Sequence, residues 1–226
     1  MKMIYSAKKM IGVMTMRKRD KEIIQTLQLF RAMTRDQIAE LFYGYTKSPS
    51  TNANFALKRL RDRGYIEADV TSQPYTYFPK PSRIKVNGQK VEHFLKITDF
   101  YLQLLKHGEK DIKHFSIEPQ FPNIDVRPDI FMLWRGTYFF TEVQNTHYTQ
   151  KVMQQKINRY EAFMKSNEWK ECLPFKVKNF PTIWIIADHT YNVKSDYVRI
   201  VQSKDVNTLL ARMKPKKETG ISIKIG

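Results

Sequence analysis

The sequence is nearly without cysteine and contains no long hydrophobic run. Cys172 is the single cysteine among 226 residues, so no internal disulfide and no cysteine-based zinc site is expected. No apolar run approaches the length of a membrane span, and the N-terminus lacks the apolar core and cleavage site of a signal peptide. These absences favour a protein of the reducing cytoplasm with no membrane partner.

Nucleotide-binding signatures and acidic residues are also scarce. The sequence has neither a G-x-x-x-x-G-K-[ST] loop nor a G-x-G-x-x-G turn, which argues against nucleotide hydrolysis and dinucleotide binding. Its 22 Asp and Glu face 39 Lys and Arg, which gives a formal net charge of +17. Such an excess attracts polyanions, and nucleic acid is the leading candidate partner. The alternative is that the charge only aids solubility.

Helical spacing organises the first part of the chain. After a first helix that begins near Asp20, Thr34 and Gln37 have the spacing of a capping box for a short second helix. Ser48-Pro49 begins a third helix, which ends at Gly64 and is followed by two short strands. The order helix, helix, turn, helix and hairpin is typical of a winged helix-turn-helix. An Asn87-Gly88 turn predicts a further hairpin.

The rest of the chain has an α/β pattern. A helix is expected from Thr98 or Asp99 to Lys106. Strand-like runs follow at VRPDIFMLW, TYFFTEVQ and PTIWIIAD. A long helix from Tyr148 to about Lys165 lies between the second and third of these, and a short one covers Asp205–Met213.

The third helix is predicted to present a DNA-reading face. Its apolar residues recur at helical spacing and form one narrow stripe, made of Ala53, Ala56, Leu57 and Leu60. Thr and Asn can read base edges, while Lys and Arg can contact bases or phosphates. We therefore assign DNA contacts to the residues on or beside the opposite face, namely Thr51, Asn54, Phe55, Lys58 and Arg59. A solvated charged face is the alternative for the two cations.

A predicted hairpin brings two carboxylates together. If Arg135-Gly136 is a two-residue loop, Asp129 lies directly across from Glu142, and Gln144 converges on the same face. Opposed carboxylates repel, so a divalent cation, a shared proton, or a nearby Lys or Arg must offset the repulsion. The alternative to a functional site is a structural ion pair with Arg127 or a lysine.

The long helix supplies a candidate lysine. Lys156 lies in the middle of an apolar stripe that includes Met153, Tyr160 and Phe163. Such a lysine either snorkels to solvent or reaches the carboxylates at the edge of the sheet.

Several short motifs in this order resemble the PD-(D/E)XK nuclease superfamily. They are LKRLRDRGYI, VEHFLKITD, RPD, EVQNT and KINRY. Within that superfamily, the chain is most similar to the replication-relaxation family of plasmids, phages and other mobile elements. Members join an N-terminal winged helix to a restriction-endonuclease-like domain, and the resemblance covers about residues 19–190.

The resemblance implies roles for particular residues. Asp129 and Glu142 would hold Mg²⁺, and Glu118 would correspond to an acid that precedes the core strands. The lysine of the superfamily falls at Gln144, which is neutral, so Lys156 is the candidate replacement. Bound Mg²⁺ would polarise the scissile phosphate and activate water. By this resemblance, the absence of that lysine favours a degenerate or weak nuclease-like domain over an active one.

These observations predict an α+β protein. It has an N-terminal arm (1–18), a winged helix-turn-helix (19–95), a small restriction-endonuclease-like α/β domain (96–213) and a basic tail (214–226). The expected function is a replication or maintenance factor of a mobile element that binds double-stranded DNA, with a homodimer or a replication protein as a further partner. The alternatives are an active Mg²⁺-dependent nuclease or nickase, and a transcriptional regulator whose C-terminal domain dimerises or binds a partner.

Overall fold

The computed structural model describes residues 16–108, 112–121, 125–146 and 148–213, and it shows the expected mixture of helices and strands. The helices are α1 (Lys18–Phe30), α2 (Arg35–Tyr43), α3 (Pro49–Asp62), α4 (Lys90–Lys106), α5 (Gln150–Ser166), α6 (Trp169–Cys172) and α7 (Val206–Met213). The strands are β1 (Met33–Thr34), β2 (Ile66–Asp69), β3 (Thr76–Pro79), β4 (Ile112–Ile117), β5 (Ile130–Trp134), β6 (Thr137–Val143), β7 (Thr182–Ile186) and β8 (Ile200–Ser203). The predicted basic tail and most of the predicted arm lie outside the described residues.

The first three helices pack beside a small antiparallel sheet in the order β1-β3-β2. The predicted capping box at the start of α2 is confirmed, because the Thr34 hydroxyl accepts from the Gln37 amide while the Gln37 side chain accepts from the Thr34 amide. Pro49 occupies the first turn of α3, where its missing N–H costs no helical hydrogen bond. The short strand β1 was not predicted.

The structure corrects the predictions for residues 82–106. The expected hairpin at Asn87-Gly88 is wrong, because no strand lies there, and α4 begins at Lys90 rather than near Thr98. A helix buries Phe94 and Ile97 completely, whereas strands would place them on opposite faces. Thr98 lies inside the helix, where its hydroxyl donates to the Phe94 carbonyl. The proposed boundary between residues 95 and 96 therefore falls within α4.

A five-stranded mixed sheet forms the second half, in the order β4-β5-β6-β7-β8. The two-residue loop at Arg135-Gly136 is confirmed, because Trp134 pairs with Thr137 and Ile130 with Thr141. Strands β4, β5 and β6 are antiparallel, while β6, β7 and β8 are parallel. The end of β4, the start of β5 and the end of β6 therefore lie at one edge of the sheet.

The sheet is covered on both faces. Phe131 and Phe140 pack with α5, whereas Met132 and Phe139, their sequence neighbours, share a core with α4 and the first three helices. Because that core is continuous from Ile23 to Leu209, α4 packs against both halves of the chain. None of the helices in the described ranges has the length and apolar character that crossing a membrane requires.

Candidate functional site

Glu142, near the end of β6, carries a buried carboxylate whose side chain is 1% exposed. Both of its oxygens accept hydrogen bonds from α5. Lys156 Nζ donates to Oε2, and the Tyr160 hydroxyl donates to Oε1. Lys156 and Tyr160 lie on one side of the helix because they are four residues apart. Lys156 thus reaches the carboxylate rather than snorkelling to solvent, which was one of its two predicted positions.

Asp129, one residue before β5, has a different set of partners. Its Oδ2 accepts from the Val143 amide at 2.7 Å, and its Oδ1 lies 3.3 Å from Nε2 of His93 on α4. Its carbonyl accepts from the Glu118 amide at 2.8 Å. His93 was not predicted as a site residue. The sequence assigned it to a hairpin strand, and only the longer α4 brings it to this edge of the sheet.

The ionisation of this cluster follows from burial and from its neighbours. Burial raises the pKa of Glu142 to about 7, Lys156 and Tyr160 oppose that rise, and the charge of Asp129 adds to it. Burial lowers the pKa of Lys156, but the charges of Glu142 and Asp129 outweigh this effect and raise it above its ordinary value. Burial also lowers the pKa of His93, and the contact with Asp129 reverses the shift, so that this pKa is raised.

These contacts bear on the expected Mg²⁺ ion. All four oxygens of Asp129 and Glu142 already face a hydrogen-bond donor. An ion between them would lie beside the Lys156 ammonium, which already supplies the compensating charge. Within the described ranges, no group of three or more His, Cys, Asp or Glu side chains has an arrangement that would hold a metal. The residues as arranged do not fit a Mg²⁺ ion.

Three further residues that the sequence linked to these carboxylates have surroundings of their own. Gln144 follows the end of β6, donates its amide to the Ile186 carbonyl at 2.9 Å, and lines a separate groove beside α4. Glu118 forms an ion pair with Arg31 at the end of α1. Arg127 is exposed at the rim of a small cavity of about 90 Å³ beside Glu142 and Lys156. The structure therefore unites Asp129, Glu142 and Lys156 but not Gln144.

Helix α3 has the predicted phase. Its four stripe residues are buried against α1 and α2: Ala53, Ala56, Leu57 and Leu60. Its opposite face is exposed, and Phe55 is 65% accessible although it is a large apolar side chain. Thr51, Asn54 and Lys58 are exposed on the same side. The exposed face therefore combines polar side chains, an aromatic ring and a cation.

The two cations of α3 that were assigned to DNA contacts differ in their surroundings. Lys58 is exposed, and its Nζ lies 2.7 Å from Asp62 one turn later. Arg59 instead makes two hydrogen bonds, of 2.6 and 3.0 Å, with the buried carboxylate of Asp20 on α1. A bidentate pair of this kind holds its arginine in place. Arg59 therefore fixes α3 against α1, and Lys58 is the freer of the two.

Part of the chain is similar to a known protein family. The sequence model of the replication-relaxation family matches residues 79–174. No curated protein sequence matches the chain. Among solved structures, Can2 from Sulfobacillus thermosulfidooxidans in complex with cyclic tetra-adenylate is similar, with 12% identity and a TM-score of 0.34. That likeness covers 86% of this chain but only 54% of the other.

The matched segment begins at the last residue of β3 and ends just after α6. It includes His93, Asp129, Glu142 and Lys156, but it excludes α3. The resemblance of this chain to the replication-relaxation family, inferred from its motifs, is confirmed over those residues.

Proposed function

We propose that this protein is a replication or maintenance factor of a mobile genetic element that binds double-stranded DNA. In this proposal, the helices α1 to α3 and the strands β1 to β3 form a winged helix-turn-helix, with α3 as the recognition helix and β2 and β3 as the wing. The match to the replication-relaxation family and the order of the first elements support the proposal.

The exposed face of α3 is the observation that carries this function. Thr51, Asn54, Phe55 and Lys58 lie opposite a fully buried stripe, so the helix can enter a groove without disturbing the core. The exposed Phe55 offers an apolar contact for a thymine methyl group. The net charge of +17 supplies attraction to the phosphate backbone.

We further propose that the five-stranded sheet and the helices that cover it form a restriction-endonuclease-like domain that does not cleave DNA. The lysine of the superfamily motif is replaced by Gln144, and Gln144 lines a different groove from Glu142. The contacts of Asp129 and Glu142 with His93 and Lys156 give both carboxylates basic partners without an added ion. This arrangement favours a structural cluster over hydrolysis.

Duplex binding tests the proposal with a matched pair of variants. Lys58 and Lys18 are both exposed lysines that face an acid four residues later, but only Lys58 lies on α3. Lys58→Ala should weaken binding to duplex DNA and lower the salt slope by about one unit. Lys18→Ala should leave both unchanged. Equal affinity and slope for the two variants would remove α3 from the interface.

Incubation of the purified protein with supercoiled plasmid and Mg²⁺ or Mn²⁺ tests the second half of the proposal. We expect no nicked or linear product. Cleavage that Asp129→Asn abolishes would establish the active nuclease instead. Duplex binding confined to a promoter site of the element would favour the transcriptional regulator.

A further inference from the structure

A second surface that combines cations with aromatic rings lies at the opposite end of β6 from Glu142. A cavity of about 690 Å³ opens where β6 and β7 begin. This volume lies within the range of about 300–1,000 Å³ typical of ligand sites. We call it the basic cavity, and its chemistry comes from Tyr138, Lys176, Lys178, Phe180, Tyr197 and Arg199.

Among the described residues, the lining of the basic cavity carries charge of one sign only. Lys176, Lys178 and Arg199 are exposed at its rim, and none of the described residues that line it is acidic. In the described part of the chain these three cations form no ion pair. Three unpaired cations around one concavity favour a ligand with several negative charges.

Two of the three aromatic side chains of the basic cavity pack against other rings. Phe180 packs edge-on against Phe140 and Trp169, with ring centroids 5.6 Å apart in both pairs. Tyr138 stacks on Phe131 at 5.5 Å. Tyr197 is 53% exposed, and Lys165 Nζ lies 3.5 Å from the centroid of its ring. Other rings therefore hold Phe180 and Tyr138, Tyr197 is accessible, and Lys165 adds a fourth cation beside it.

Cations beside an exposed aromatic ring match the two parts of a nucleotide. Phosphates bind the cations, and an unpaired base stacks on the ring. A duplex keeps its bases stacked inside the helix and cannot insert one into a cavity without unpairing it. We propose that the basic cavity binds a segment of single-stranded DNA, with Tyr197 as the stacking ring and Lys176, Lys178 and Arg199 as phosphate contacts.

This inference rests on the proposed function only in the choice of DNA as the polyanion. The basic cavity and α3 belong to different elements, so the two DNA contacts can be separated by substitution. A protein that acts in replication meets single strands wherever the duplex is opened. The basic cavity would then hold a displaced strand while α3 holds the duplex.

Fluorescence anisotropy with a short labelled oligothymidylate tests the single-strand contact. Tyr197→Ala should weaken binding on the order of tenfold, as expected for loss of one base stack, while Tyr197→Phe should retain it. Lys176→Ala combined with Lys178→Ala should lower the salt slope by about 1.4 units. Lys151→Ala combined with Lys204→Ala is the control, because both lysines are exposed outside the basic cavity.

The outcomes distinguish this inference from the proposed function. Unchanged oligonucleotide affinity in Tyr197→Ala, or equal losses in the two lysine pairs, would overturn it. Displacement of the oligonucleotide by equal concentrations of thymidine monophosphate would assign the cavity to a free nucleotide and also overturn it. Duplex affinity, measured on the same variants, should not change. Lys58→Ala should lose duplex binding and keep the affinity for the oligonucleotide. That result would support α3 as the duplex contact, and it would show that the single-strand contact lies elsewhere.

Discussion

Burial of Glu142 makes the free energy of unfolding depend on pH around neutrality. The folded protein holds a proton on Glu142 up to a pKa of about 7, whereas the unfolded chain releases it near the ordinary value of 4.5. The unfolded state is therefore favoured progressively as the pH rises between these values. His93 acts in the same direction, because its raised pKa gives stability that is present below its ordinary pKa of 6.5 and is lost as the pH rises.

The size of this loss of stability follows from the change in the pKa of Glu142 between the unfolded and folded states. At 1.36 kcal/mol for each pKa unit, Glu142 accounts for up to about 3 kcal/mol of lost stability. For a chain of this length, that corresponds to a fall of about 6–12 °C in melting temperature. Urea unfolding followed by the fluorescence of the buried Trp134 and Trp184 measures the free energy directly at each pH.

The decisive comparison is between two glutamine substitutions. Glu142→Gln removes the buried titrating group, so the decline in unfolding free energy between about pH 5 and pH 8 should shrink by about 3 kcal/mol, leaving the part due to His93. Glu171→Gln alters an exposed glutamate and should keep the full decline. A decline that persists in Glu142→Gln, or a wild-type stability that rises with pH over this range, would refute the reasoning.

Three further predictions concern stability. Lys156→Met should lower the free energy of unfolding by about 3–5 kcal/mol at alkaline pH, because it leaves Glu142 ionised and unpaired, and by less at acidic pH. The same urea titration measures both values, and an equal loss at the two pH values would mean that the contact is not electrostatic. Phe55→Ala should change the unfolding free energy by at most about 0.5 kcal/mol, whereas Phe94→Ala should lower it by about 3–5 kcal/mol; comparable losses would place Phe55 in the core. Mg²⁺ should not raise the melting temperature, since a site saturated at 100 times its dissociation constant would add about 2.7 kcal/mol and a readily measured increase.

Sequence reasoning succeeded where the determining pattern is local. The phase of α3 follows from four apolar residues at helical spacing, which is why the exposure of Phe55 was predictable. The register of β5 and β6 follows from a loop of two residues, because the loop length fixes which residues face each other. The inward position of Lys156 follows from the apolar residues one turn away on α5.

Sequence reasoning failed where distant residues decide the outcome. The hairpin at Asn87-Gly88 is an exception, because there a local pattern decides: the helical spacing of the residues after the turn, which buries Phe94 and Ile97, overrides it. Arg59 and Asp20 lie 39 positions apart in the sequence, on α3 and α1. The helical phase of α3 therefore could not show that Arg59 forms an ion pair with Asp20. His93 was missed for the same reason, because its partner Asp129 is brought near only by tertiary packing.

Three acids meet at one edge of the sheet, and each contacts a basic side chain, one at the end of α1, one on α4 and one on α5. Glu118 follows β4 and pairs with Arg31 at the end of α1. Asp129 precedes β5 and faces His93 on α4, while Glu142 near the end of β6 pairs with Lys156 on α5.

These three pairs attach α1, α4 and α5 to the same edge of the sheet, although α4 and α5 cover opposite faces. A divalent ion bound by Asp129 and Glu142 would have to displace the contacts of α4 and α5 at once. Arg31 also lies 4.7 Å from the centre of the Phe94 ring, so a shift of α4 would reach the three-helix unit that carries α3. The contacts of Glu118, Asp129 and Glu142 therefore link three helices to one edge of the sheet, and a change at any one of them would be felt by the others.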